Sequence, residues 1–155
     1  MRRQDREVLQ PEQIDAIIES CDCLRLGLNA EDGAYIVPLN FAYVPGKPAK
    51  FYFHSAKEGR KVDMIGQGAK AGFELDGAHR LGEAETGCRH TFFYQSVIGT
   101  GTVRPVETLE EKKRALSAIM AHYRKDCAFS FTDEQADAVT VFCLTAETMS
   151  CKQHS

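Results

Sequence analysis

Two glycines set two residues apart inside the longest extended run of the sequence constrain this chain most. Between Thr91 and Val106 the sequence reads as one long strand, and Gly99 and Gly101 fall at alternate positions within it. Glycine weakens a strand interior, so such a pair marks a place where the strand bends sharply or admits a neighbour's backbone closely, as barrel strands do. The rest of the chain supplies the partners. Leu24, Leu26 and Leu28 alternate with Cys23, Arg25 and Gly27, and the cluster Asn29-Ala30-Glu31-Asp32-Gly33 offers the turn chemistry that reverses a chain. The return segment alternates strictly, with Tyr35, Val37, Leu39, Phe41 and Tyr43 on one face, and is expected to form one long strand. Pro38 interrupts it, and a residue without an N–H belongs at an edge, a bulge or an opening of the sheet. Phe51 to His54, then Ala71, Phe73 and Leu75, and finally Val139 to Leu144 add further strands, while the polar stretch Gly77–Gly87 separates two of them.

Helices fall between these runs. Proline at the first helical position and Ile14, Ile17 and Ile18 at helical spacing predict a helix over Pro11 to Ser20. Capping-box patterns at Ser55-x-x-Glu58, Thr108-x-x-Glu111 and Thr132-x-x-Gln135 predict three more, the first running to about Gly66. Leu109, Leu116, Ile119, Met120 and Tyr123 form an apolar stripe suited to core or dimer packing. The expected fold class is mainly β with helices, a barrel of six strands. With 155 residues, 43% apolar and 26% charged, and with no linker or repeat, residues 1–155 read as a single domain.

Nineteen basic against 22 acidic groups leave a formal charge of −3, so no chain-wide positive field exists to hold nucleic acid or an anionic membrane. The longest apolar stretch, Tyr35 to Val44, is about half of the roughly 20 residues that a spanning helix needs. The opening segment Met1 to Glu7 is charged and lacks the apolar core of a signal peptide, so the expected location is cytoplasmic. Six cysteines are too sparse for a disulfide scaffold and read as reduced thiols. Cys21-x-Cys23 with Cys88-x-His90 could supply four metal ligands, but one intervening residue is not the spacing of a zinc knuckle, and no metal is expected.

Positive charge is instead concentrated. Between Lys50 and Lys70 stand five basic and two acidic residues, whereas Gly72 to Gly87 holds four acidic residues against Arg80. The stretch His54-Ser55-Ala56-Lys57-Glu58-Gly59-Arg60-Lys61 lies where a strand ends and a helix begins. A hydroxyl, a glycine and three cationic side chains meet there beside unpaired backbone N–H groups, which is how a phosphate site is built. Arg60 can clamp phosphate oxygens in a fork and Lys61 adds a point charge. The same three cations would also serve as a solvated helix face.

Three ordered segments carry a resemblance: Tyr35 to Tyr43, Phe51 to Lys61, and Ser96-Val97-Ile98-Gly99-x-Gly101, together with the opening Arg3-x-Asp5-Arg6-Glu7. They resemble the FMN-binding split barrels of the pyridoxamine 5'-phosphate oxidase-like group, most of all its nitroimidazole-resistance (Nim) branch. The resemblance implies a homodimer with FMN at the interface, and an oxidoreductase that reduces a small electron-poor molecule of the nitroaromatic kind. It also implies the site residues. Gly59, Arg60 and Lys61 would hold the phosphate, and Val37, Pro38, Leu39, Asn40 and Phe41 would run beside the flavin ring. Phe53, His54 and Ser55 would border the ribityl chain and ring, with His54 the candidate catalytic residue. Gln95, Ser96 and Val97 would come from a later strand, from the same or the other subunit. The basic and histidine residues that bind substrate near the carboxyl terminus of true pyridoxamine phosphate oxidases are not recognisable in Thr145 to Ser155, which disfavours that activity. A carrier or sensor of flavin or haem, with His54 as the axial ligand, is the alternative.

Overall fold

The computed structural model describes residues 3–155; Met1 and Arg2, at the head of the charged opening segment, lie outside them. Eight strands and four α-helices follow one another: β1 (Glu7–Val8), α1 (Pro11–Ser20), β2 (Leu24–Ala30), β3 (Gly33–Leu39), β4 (Ala42–Val44), β5 (Lys50–Ser55), α2 (Arg60–Ile65), β6 (Ala69–Gly82), β7 (Thr91–Pro105), α3 (Leu109–Tyr123), α4 (Asp133–Asp137) and β8 (Thr140–His154). The sheet is antiparallel throughout, in the order β3-β2-β6-β7-β8-β5-β4, with β1 added along β8. Its two edges, β3 and β4, are consecutive in the chain and joined only by Asn40 and Phe41. A sheet whose outermost strands are two residues apart must curl back on itself, and because those strands form no ladder the barrel stays split along that seam.

The interior of the curl is apolar and fully packed. Phe41, Phe51, Phe53 and Phe73 interlock with Leu24, Leu26, Leu75, Val97 and Leu144, all within 3% of complete burial, and α1 lays Ile17 and Ile18 against them. Burial of each such side chain is worth about 1.5–3 kcal/mol against an exposed one. A smaller cluster, Val106, Ala115, Leu116, Ala136 and Val141, seats α3 and α4. The proposed role of the two β7 glycines holds: a Cβ at Gly99 would fall well inside 3.0 Å of the Phe73 ring and the Thr148 carbonyl, and one at Gly101 would meet the Thr145 carbonyl equally closely.

Four sequence expectations change. The expected strand Tyr35–Tyr43 is two strands, because the chain leaves one sheet edge at Leu39 and joins the other at Ala42. Pro38 does stand on an edge strand. The Ser55–Glu58 capping box does not form: Ser55 Oγ donates to the Ala56 carbonyl at 2.7 Å, and the helix begins five residues later, after Gly59. The stretch from Gly77 is not a loop up to Gly82, since β6 continues past a bulge at Gly77–Arg80, with Ala78 at φ +54°, to pair with Thr91–Phe93. Strand β8 runs ten residues beyond Leu144, to His154. The division of Tyr35–Tyr43 and the short β1 bring the strands among the described residues to eight rather than six.

Candidate functional site

Strand β5 delivers Ser55 to the barrel rim, and four residues later Gly59 turns the chain at φ +133°, a conformation natural only to glycine. Helix α2 starts there with no side-chain cap and is anchored by Ile65, which is fully buried. The backbone therefore places the first two residues of the helix, Arg60 and Lys61, at the rim. They line a cavity of about 240 Å³ together with Ser55, Gly59 and Tyr35.

The two cations differ. Arg60 Nη2 donates to Asp32 Oδ1 at 2.6 Å, and its guanidinium lies 4.7 Å from the centre of the Tyr35 ring. That arrangement pins the β2–β3 turn, β3 and α2 together, and it leaves Arg60 half-exposed with part of its fork already engaged. Lys61 is half-buried, and among the described residues it has no carboxylate within ion-pair distance. Burial lowers its pKa. A partly desolvated ammonium without a counter-charge is unfavourable until an anion joins it. His54, exposed on the outward side of β5, has its pKa lowered below the ordinary value, first by partial desolvation and then by the nearby charge of Lys61. The corner thus gathers two cationic side chains, the Ser55 hydroxyl and the turn at Gly59 around one small cavity.

Pro38, Leu39 and Asn40 line a second cavity of about 260 Å³, with Asp22 and Cys23 opposite. Val37 is half-buried against the main core. Phe41, Phe53 and Val97 point into the core with no exposed surface, and Phe53 stacks on Phe142 at 5.5 Å, so only their backbone could meet a ligand. Gln95 and Ser96 are half-buried on β7 and line neither cavity of this single chain. The structure thus joins Ser55, Gly59, Arg60 and Lys61, groups Pro38, Leu39 and Asn40 nearby in sequence along the seam, and leaves Gln95 and Ser96 apart. Sequence reasoning missed the stacking of Tyr35 on Arg60; the residues are 25 apart, and no local pattern announces such a contact. A further cavity of about 720 Å³ between α1, the β4–β5 turn and β8 contains none of these residues.

Known proteins resemble the chain in the same sense. A structure of a candidate 5-nitroimidazole antibiotic resistance protein from Bacteroides thetaiotaomicron is 30% identical with a TM-score of 0.80, over 95% of this chain and 86% of that one. The FAD and heme binding protein of Mycobacterium smegmatis superposes with a TM-score of 0.83 at 16% identity, over 97% and 74% of the two chains. The flavocytochrome Anf3 of Azotobacter vinelandii gives 0.80 at 15%, over 100% and 72%. At those identities the last two show a shared fold alone. No curated protein matches the chain. Among the described residues no helix is long and apolar enough to cross a membrane. The family model described as pyridoxamine 5'-phosphate oxidase matches residues 10–153, and with nearly the whole chain covered, this protein belongs to that family.

Proposed function

We propose that the chain binds FMN and, in the cytoplasm, reduces a small, flat, electron-poor molecule such as a nitroaromatic. One observation carries the reading: Lys61 is half-buried and without a counter-charge, beside Arg60, Ser55 and the turn at Gly59, in a cavity the size of a phosphate and the chain leading from it. FMN offers a phosphate to such a corner, whereas riboflavin does not. The 30% identical relative, described as a candidate 5-nitroimidazole antibiotic resistance protein, supports the substrate class.

In this reading Lys61 and Arg60 hold the phosphate, and the Ser55 hydroxyl turns from the Ala56 carbonyl to donate to it. Asn40 and the backbone beside Pro38, which lacks an N–H, face the polar edge of the ring, while Val37 and Leu39 offer apolar surface. A bound flavin supplies the hydride or electron chemistry, so the protein's part is to bind, orient and shield it. His54, kept uncharged, presents a hydrogen-bonding group at the rim without adding to the positive charge at the phosphate.

A second copy of the chain completes the pocket. On the outer face of the sheet Ile36, Gly27, Gly72, Thr100 and Thr148 lie in one row across five strands, with no charge among them. A Cβ on Gly27 or Gly72 would meet nothing closer than 3.6 Å, so nothing within the chain requires glycine at either place. A smooth strip of this kind suits close approach by another backbone. Ile36 and Ile98 beside it are 62% and 56% exposed, which a partner would cover.

The test is a titration of purified, flavin-free protein with FMN, riboflavin and haemin, followed by absorbance. FMN binding at least tenfold tighter than riboflavin supports the reading. Equal affinity for the two flavins contradicts the phosphate corner, and tight haemin binding without FMN binding replaces the reading with a haem carrier.

A further inference from the structure

We propose that Tyr123, assisted by His122, is a positioning residue that sets the seam cavity beside Asn40; the inference rests on the flavin-binding reading above. The division of the barrel at Asn40–Phe41 takes Phe41 out of the strand ladder, and its N–H donates instead to the Tyr123 hydroxyl at 3.2 Å. The same hydroxyl donates to the Asp22 carbonyl at 2.8 Å. One residue earlier, His122 Nε2 donates to the Cys21 carbonyl at 2.8 Å, which requires the proton on Nε2, while its ring packs 4.4 Å from Phe41 and 4.8 Å from Tyr123.

The last turn of α3 therefore ties two segments that are otherwise unpaired: the connection between α1 and β2, and the crossover between the two edges of the sheet. These are also the two walls of the 260 Å³ cavity, Asp22 and Cys23 on one side and Pro38, Leu39 and Asn40 on the other. A single hydroxyl bridges them. Packing does not demand that hydroxyl, because Tyr123 is 36% exposed and a phenylalanine would fill the same space. What the hydroxyl adds is a donor and an acceptor at the one place where the crossover backbone lacks a strand partner.

Tyr123→Phe in the full chain tests this, with Leu116→Ala as the control, since Leu116 is a buried α3 residue that belongs to the smaller cluster. In flavin-free protein Tyr123→Phe is expected to speed amide exchange at Phe41 at least tenfold. In the FMN-loaded protein it should shift the flavin absorption band and weaken FMN binding several-fold. Leu116→Ala should lower the melting temperature and leave the band in place. His122→Gln, which keeps a donor for the Cys21 carbonyl, should preserve the band better than His122→Leu. An unchanged flavin band in Tyr123→Phe, or the same shift in Leu116→Ala, overturns the positioning role while leaving the flavin reading intact. A wild-type protein that binds no FMN removes both.

Discussion

The inner and outer faces of the same sheet treat glycine in opposite ways. Inside, Gly99 and Gly101 are dictated by the chain itself, because the Phe73 ring and the carbonyls of Thr148 and Thr145 occupy the space a side chain would need. Outside, Gly27 and Gly72 stand side by side on β2 and β6, where a Cβ would make only ordinary van der Waals contact with backbone carbonyls. The charges divide similarly. Arg25, next to that glycine pair, is matched by both Glu74 and Asp76, whereas half-buried Lys61 has no such match among the described residues. The inner glycines and Arg25 are accounted for by contacts within one chain, whereas the glycines of the outer strip and Lys61 are the positions on which the proposed partner and ligand rest.

The largest expected effect separates the glycines. Gly99→Ala overpacks the core and should cost about 3 kcal/mol in urea unfolding, at the upper end of the range for inserted core atoms. Gly72→Ala should stay within about 0.5 kcal/mol, as for an ordinary surface change. Equal losses would erase the distinction. Next, Gly72→Val should shift the protein from dimer to monomer in sedimentation at micromolar concentration with its helix and strand content intact; a variant that stays dimeric would place the partner elsewhere. Thiol modification sharpens the same contrast. Burial pushes Cys21 and Cys151 up to about 11, while Cys88 and Cys127 are exposed. At pH 7.5 Cys88 and Cys127 should react with iodoacetamide well before Cys21 and Cys151, as peptide mapping would reveal.

The smallest effect concerns His54. Its folded-state pKa lies below the ordinary 6.5, so as pH falls the unfolded chain takes up the proton first. Stability from this group is present above pH 6.5 and is lost as pH falls from that value through the lower folded-state pKa. His54→Gln should flatten the pH dependence of the melting temperature slightly between pH 7.5 and 5.5; a steeper dependence would contradict the neutral ring.

Local signals in the sequence were faithful at most helix ends, although the Ser55–Glu58 pattern, which has the same form, starts no helix. Proline and three isoleucines mark α1 at its observed bounds, and Thr132 with Gln135 forms the capping box that its spacing announces. Thr108 caps α3 as expected, although Glu111 turns to accept from the Tyr52 hydroxyl instead of closing the box. The Gly59-Arg60-Lys61 corner was legible because its charge is concentrated in one short stretch. The division at Asn40–Phe41 was not, since Leu39 and Phe41 both face the core and the alternation passes over the break unchanged. Polar residues at the end of β8 and around Gly77–Gly82 have weak strand preference by themselves; pairing with β7, distant in sequence, makes them strands.

In the proposed function the unmatched cation at the rim, Lys61, receives the phosphate of FMN. Fluorescence quenching of FMN by wild-type protein and by the Lys61→Met, Arg60→Ala and Lys57→Ala variants tests it directly. Lys57 is an exposed residue paired with Asp137 on the surface and should matter little, changing affinity by less than about threefold. Lys61→Met should weaken FMN at least tenfold, and Arg60→Ala should weaken it by an amount between the two, because part of its fork already serves Asp32. Losses that are equal across all three variants, or a Lys61→Met protein that binds FMN as wild type does, would contradict the account.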